Sequence, residues 1–176
     1  MSISNLTKNE AKTAFNYVDG VLLWKPRNIN KNWDTRWSGK PAGRTKSDGR
    51  MDISYGNKRI KYHRAVWNWW LGHIPEDMEI DHINGNPSDN RIENLRMCSH
   101  QNNMLNRKIQ SNNKCGNKNI YFRKNRNVWV VDISNKGKRF VQECKTLEEA
   151  KEVAYNVRME LHGQFANHGQ HLSEAA

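Results

Sequence analysis

An α+β fold is predicted by this sequence, and three observations carry the prediction. Short apolar runs are punctuated by turn formers such as Asp19-Gly20 and Gly56-Asn57, as in antiparallel hairpins. Two segments, 63–72 and 146–161, space their apolar residues at helical period. With 36% hydrophobic residues in a chain of 176, one large core is improbable, so several small units are expected. The expected organisation is a β-rich lead-in with a basic loop (1–62), a strand–loop–strand–helix unit (63–107), a basic linker (108–118), a three-stranded antiparallel sheet packed on one helix (119–167), and a tail (168–176).

In the lead-in, residues 15–25 hold two apolar runs around Asp19-Gly20 and read as a hairpin. Residues 26–48 are rich in Arg, Lys, Asn, Trp and Gly without a clear period, which reads as an extended basic loop able to fold onto DNA. Residues 49–62 form a second hairpin, with Met51, Ile53 and Tyr55 alternating before the Gly56-Asn57 turn. Val66, Trp67, Trp70 and Leu71 then fall at helical spacing and Gly72 ends that helix, its tryptophans read as core.

Two short apolar segments, 78–83 and 95–98, bracket a loop containing Asn84-Gly85 and Asn86-Pro87-Ser88-Asp89, and read as two strands. Ser99 can cap a helix running to about residue 107. Within this frame Asp81-His82, Asn94-Leu95-Arg96 and Gln101-Asn102-Asn103 follow in order at the spacing of a single-metal nuclease site. Each has a bland reading, since an Asp-His pair is common and Asn is favoured in turns and caps; their conjunction carries the inference.

Residues 62–106 resemble the HNH family of nucleases, in the His-Asn-Asn form of phage-type homing endonucleases. The resemblance implies a ββα-metal unit in which Asp81 and Asn103 are metal ligands, His82 is the general base, and Asn94 bonds backbone across the loop to hold His82. Asn102 is the rival to Asn103, because adjacent helical positions point about 100° apart. Phosphodiester hydrolysis needs a deprotonated water and a cation to take up charge on the phosphate and the departing oxygen. An imidazole, mostly neutral at cellular pH, suits the first task. A carboxylate with an amide oxygen suits one hard divalent ion, Mg2+ foremost with Mn2+ as the other choice. Family members often carry a His-Arg pair ahead of the preceding helix; His63 and Arg64 would touch the DNA backbone or buttress the site. Arg96 is also counted among the DNA-contacting residues.

The net charge of +11 and pI near 9.7 imply an anionic polymer as partner, and the resemblance to homing endonucleases implies that it is double-stranded DNA. No stretch approaches the length of a membrane span and residues 1–5 lack a signal pattern, so a cytoplasmic monomer is expected, plausibly phage-encoded in a bacterial host. The three cysteines, Cys98, Cys115 and Cys144, suggest neither a disulfide framework nor a zinc knuckle.

From 107 to 131 there is no acidic residue, but Arg107, Lys108, Lys114, Lys118, Arg123, Lys124 and Arg126 form a strip suited to phosphates. Residues 120–123, 128–134 and 139–144 read as strands, and Thr146 with Glu149 forms a capping box for the last helix. With Asn119-Ile120-Tyr121-Phe122-Arg123, Val128-Trp129-Val130-Val131-Asp132-Ile133 and Thr146-Leu147-Glu148-Glu149-Ala150, this resembles the plant ethylene-response-factor type of DNA-binding domain, also found behind HNH units. Asn119-Ile120 stands where that family often has Gly-Val. The resemblance implies a sheet lying in the major groove, with Arg123, Arg126, Trp129 and Arg139 on the DNA; core packing is the other reading of Trp129. His162, His168 and His171 show no ligand spacing.

These readings together predict a metal-dependent homing endonuclease that nicks one strand per encounter. A non-catalytic DNA-binding regulator is the alternative, and RNA as substrate stays open because phosphate attraction is common to both polymers.

Overall fold

The computed structural model describes residues 5–106, 109 and 113–169. Arg107 and Lys108, both expected on DNA, and residues 170–176 of the tail lie outside the described residues. The chain divides into two compact units, Met1–His100 and Gln101–Ala176.

The first unit opens with α1 (Lys8–Ala14), a helix that the sequence reading did not anticipate. Its signal was present: Thr7 Oγ1 accepts the Glu10 amide at 3.1 Å and Glu10 Oε2 accepts the Thr7 amide at 2.7 Å, a complete capping box. The expected hairpin follows as β1 (Phe15–Val18) and β2 (Val21–Trp24), joined by Asp19 and Gly20 at φ 42° and 83°. Two positive φ values in succession give the primed turn whose twist matches paired strands.

The stretch expected as loop contains α2 (Lys31–Trp37), again betrayed by a cap: Asn30 Oδ1 accepts the Trp33 amide at 3.0 Å. Asp34 accepts the amides of Arg27 and Asn28 at 2.7 and 3.0 Å, and the Arg27 guanidinium lies 3.9 Å from the Trp33 ring centroid. Local capping and a cation–π contact thus organise a segment without apolar periodicity.

Next come β3 (Arg44–Thr45), β4 (Met51–Tyr55) and β5 (Lys58–Lys61) in the order β3-β4-β5, then α3 (Tyr62–Trp70). The core of this unit joins Phe15, Leu22, Ile53, Ile60, Tyr62, Val66, Ile80 and Leu95. Tyr62 is 1% exposed, and burial of such a ring contributes about 2–3 kcal/mol. Its hydroxyl accepts the Leu22 amide at 2.6 Å, tying α3 to the first hairpin. Trp69 Nε1 donates to the Phe15 carbonyl at 2.9 Å, a second such tie.

Strands β6 (Met78–His82) and β7 (Leu95–Ser99) form an antiparallel ribbon, and α4 (His100–Leu105) follows β7 without a break. This is the expected strand–loop–strand–helix order.

The second unit holds β8 (Ile120–Arg123), β9 (Val128–Asn135) and β10 (Lys138–Cys144) in the order β10-β9-β8, with α5 (Leu147–His162) against one face. Thr146 Oγ1 accepts the Glu149 amide at 3.2 Å, one half of the expected capping box, while the Glu149 carboxylate reaches one residue further back and accepts the Lys145 amide at 2.9 Å. Ile120, Val131, Ile133, Ala150, Ala154 and Val157 make its core. Three short strands and a helix are what the sequence predicted for 119–167.

The β1–β2 turn has a job beyond closing the hairpin. A Cβ added at Gly20 would stand 2.9 Å from the Arg91 amide nitrogen and 3.1 Å from the Asn90 carbonyl carbon. Tyr17 Oη accepts the Ile92 amide at 3.0 Å from the same hairpin. The hairpin therefore clamps residues 90–92. Gly20→Ala is expected to lower stability by about 2–3 kcal/mol, from positive-φ strain plus a backbone collision. Urea unfolding measures this, and a loss under about 0.5 kcal/mol would show that the clamp yields freely.

Candidate active site

Cross-strand register places Asp81 opposite Arg96 and His82 opposite Leu95 at the open end of the β6–β7 ribbon. Strand alternation sends Ile80 into the core and leaves Asp81 for the other face. There Arg96 donates through Nε and Nη2 to Asp81 Oδ2 at 3.1 and 3.0 Å. Both side chains are largely covered, at 15% and 10% exposure for Arg96 and Asp81. This arginine, expected on DNA, is seated on the Asp81 carboxylate in this structure.

Residues 83–94 return from β6 to β7, and Asn94 knits them together. Its Oδ1 accepts the Asn84 amide at 3.0 Å, while its Nδ2 donates to Asn84 Oδ1 at 3.0 Å and the Asp89 carbonyl at 2.8 Å. The Ile83 amide also donates to the Asn94 carbonyl at 2.8 Å. Asn94 is 9% exposed, so these bonds form away from solvent. Asn84 and Asp89 were not singled out as site residues by sequence reasoning. Arg91, clasping Asp89 with 2.9 Å bonds from Nε and Nη2, holds that carboxyl at about 2.

His82 stands at the loop entrance. Its Nε2 lies 3.1 Å from Asn90 Oδ1, and the His63 ring meets it edge-on at 5.1 Å between centroids. Burial pushes the His82 pKa below its ordinary value, against opposing pulls from Asn90, Asp81 and Asp89. The neutral, proton-accepting form is therefore favoured. Asn90 is a partner that the sequence reading passed over as one of several turn asparagines.

Arg64 is buried at 7% exposure and its Nε donates to Asn5 Oδ1 at 2.8 Å. His63, three residues ahead of Val66, has its pKa driven down to about 3, chiefly by burial, with His82, Lys61, Arg64 and Arg50 adding repulsion. Folding thus keeps His63 neutral while the unfolded chain protonates it near 6.5. Stability from this residue is fully present above 6.5 and declines as pH falls toward 3. Because the ring stays partly open to solvent, about 1 kcal/mol of loss is expected between pH 7 and 5, about half the full linkage value. In denaturant titrations at both pH values, His63→Gln should remove that difference; an unchanged difference would assign the acid sensitivity elsewhere.

Asn103 lies on α4, which begins at His100. His100 Nδ1 is 2.9 Å from Glu79 Oε1, an anchor between the first residue of α4 and β6. Asn102 and Asn103 are both half-buried. Among the described residues, no group of three or more His, Cys, Asp or Glu side chains gathers as a metal cluster. The donor set at issue is a different one, a carboxylate with an amide oxygen, and its hard oxygens match a hard divalent cation. In this structure the Asp81 carboxylate is occupied at Oδ2 by the Arg96 guanidinium, which would have to share or yield that oxygen to an ion.

In the second unit, Arg123 and Arg126 each place Nη1 on Glu143 Oε1, at 2.6 and 2.8 Å. Arg139 clasps Asp132 with 2.9 and 2.6 Å bonds, which lowers the Asp132 pKa. By register Arg123, Asp132, Arg139 and Glu143 share the sheet face away from α5. Trp129 is on the other face, 5.0 Å from the Phe122 ring and packed against the core cluster. It is thereby separated from the arginines with which it was grouped. Lys114 is exposed.

A two-stranded ribbon leading into a helix, with Asp-His at the ribbon's end and a loop pinned by asparagine, is the architecture of a ββα nuclease unit. A model of the family described as HNH endonuclease matches residues 61–105. The chain is 36% identical over 109 residues to Protein 3.8 of Escherichia phage T7, covering 62% of this chain and 90% of that protein. It is 30% identical over 115 residues to the uncharacterized HNH endonuclease L560 of Acanthamoeba polyphaga mimivirus, covering 65% of this chain and 59% of that one. No solved structure matches it. This chain belongs to the HNH endonuclease family.

Proposed function

We propose that the chain is a metal-dependent DNA endonuclease of homing type that nicks one strand of a recognised site. The observation that carries this reading is the pairing of Asp81 and His82 at one strand end, beneath a loop that Asn94 pins through three side-chain bonds. His82 acts as general base, taking a proton from the attacking water. Asp81 and Asn103 supply oxygen ligands for one Mg2+, with Mn2+ able to substitute. When bound, that ion supplies charge stabilisation at the phosphate and the departing oxygen. Arg96, already on Asp81, releases or shares the carboxylate and turns to the phosphate backbone.

The second unit chooses the target. Its resemblance to the ethylene-response-factor type supports a sheet face read into the major groove, with Arg123, Arg126 and Arg139 aligned by Glu143 and Asp132 as the contacts. Lys114, Arg107 and Lys108 track phosphates beside it. Trp129 is assigned to the core of this unit. The protein works as a monomer in the cytoplasm of an infected host. Among the described residues no helix is long and apolar enough to cross a membrane.

The test is a supercoiled plasmid library of candidate targets incubated with purified protein in Mg2+ and in EDTA. Relaxed circles in Mg2+ alone, with ends mapping to one site on one strand, are expected. Binding without cleavage in either Mg2+ or Mn2+ would replace the enzyme with a DNA-binding regulator, and linear product at first encounter would replace nicking with a double break.

A further inference from the structure

We propose that Asn90 is a positioning residue that fixes His82 as the Nε2–H tautomer, so that the proton-accepting lone pair resides on Nδ1. The inference rests on the reading of His82 as general base and names the group that prepares it. Asn90 is 3% exposed and its amide is oriented by its neighbours. Nδ2 lies 3.3 Å from the Ser88 carbonyl oxygen and 3.6 Å from Met51 Sδ, while Oδ1 lies 3.1 Å from His82 Nε2.

Reversing the amide would set its carbonyl oxygen against the Ser88 carbonyl oxygen, two acceptors facing each other in a buried place. The Ser88 contact therefore fixes which end of the amide faces the imidazole. An oxygen facing Nε2 requires a hydrogen there, and a neutral imidazole with hydrogen on Nε2 accepts only through Nδ1. Through Nε2 the Asn90 amide thus selects one orientation and one protonation pattern of the His82 ring.

The rest of the first unit holds Asn90 in turn. Met51 belongs to β4, and the Gly20 turn and Tyr17 hydroxyl press on residues 90–92 from the first hairpin. Ser88 Oγ donates to the Gly49 carbonyl at 2.9 Å, which anchors the turn that leads into Asn90. The N-terminal hairpins are accordingly part of the apparatus that orients the base, a role their sequence did not signal.

Two measurements on the full chain test this. Long-range 1H–15N correlation spectra of the wild-type histidine rings at pH 7.5 should show His82 with one pyrrole-type nitrogen at Nε2 and one lone-pair nitrogen at Nδ1. Nitrogen shifts averaged between tautomers, or a hydrogen on Nδ1, would overturn the proposal. Assignment uses His82→Gln, and no cleavage is needed, so this outcome stands apart from the fate of the nuclease reading. In plasmid nicking, Asn90→Leu, which keeps volume but offers no acceptor, should lower the rate by about 10- to 100-fold with DNA affinity unchanged. Asn90→Asp, which still presents an oxygen to Nε2, should recover most of that loss. Equal losses in the two variants would mean that Asn90 acts through packing alone and would also overturn the proposal.

Discussion

Replacing His82 with alanine is expected to lower the single-turnover rate of DNA nicking by about 10³-fold and to leave DNA affinity within about twofold. The size follows from the role. Transfer of a proton to a positioned side chain contributes about 10²–10⁴-fold to a rate, and a base fixed in orientation belongs in the middle or upper part of that range. The proposed reading assigns affinity to phosphate contacts made by cationic side chains, and a neutral, half-buried ring is not one of these. The substitution leaves Asn90 Oδ1 without its imidazole partner, which costs about 1 kcal/mol of stability. Rates should therefore be compared well below the unfolding temperature of the variant, after circular dichroism has shown it folded. A His82→Ala protein that nicks within tenfold of wild type would remove His82 from the chemistry, and the base would then have to be sought among other groups near Asp81. Retained rate with weakened binding would make His82 a DNA contact.

Much of this architecture was legible because the strongest local signals agree with the tertiary structure. Asp19-Gly20 dictates a primed turn, and Thr146 with Glu149 dictates a helix start; both lie where they were expected. The two missed helices, α1 and α2, are each seven residues long and carry no apolar period of their own. Their caps, Thr7 with Glu10 and Asn30, were the only sequence signals, and such signals are easily lost in a segment rich in Asn and Lys. The site divides in the same way. Asp81, His82, Asn94 and Arg96 could be named because register and loop length are encoded by short-range spacing, and the structure brings these four together. Their partners were hidden: Asn90 looks like any turn asparagine, and nothing in one dimension says that its carbonyl faces an imidazole eight residues back. For Arg64 and Trp129 the sequence left two readings open, DNA contact or a structural place, because charge and aromatic character suggest DNA until the packing is known; Arg64 is buried and Trp129 lies on the helix side of its sheet.

Asn94→Ala is expected to destabilise the first unit by about 3 kcal/mol, the largest stability effect of any single side-chain truncation in the loop. Three side-chain bonds are lost, and all three link parts of one loop away from water. Each is worth about 1 kcal/mol net, and the Asn84 amide and Asp89 carbonyl left behind are backbone groups that cannot turn away. Asn94→Asp separates this account from a simple loss of volume. The aspartate keeps an oxygen for the Asn84 amide, but it replaces the Nδ2 donor with a second acceptor facing Asn84 Oδ1 and the Asp89 carbonyl. Repulsion among those oxygens should make Asp at least as harmful as Ala, although Asp is nearly isosteric with Asn. Urea unfolding of the three proteins at pH 7.5 gives the ordering directly. A nearly wild-type Asn94→Asp variant would show that the Nδ2 bonds carry little energy and that the loop is held by backbone contacts such as that from Ile83 to Asn94. With the expected ordering, nicking at a temperature where Asn94→Ala remains folded should still fall by about 10- to 100-fold, because the same loop that Asn94 closes carries Asn90 to His82.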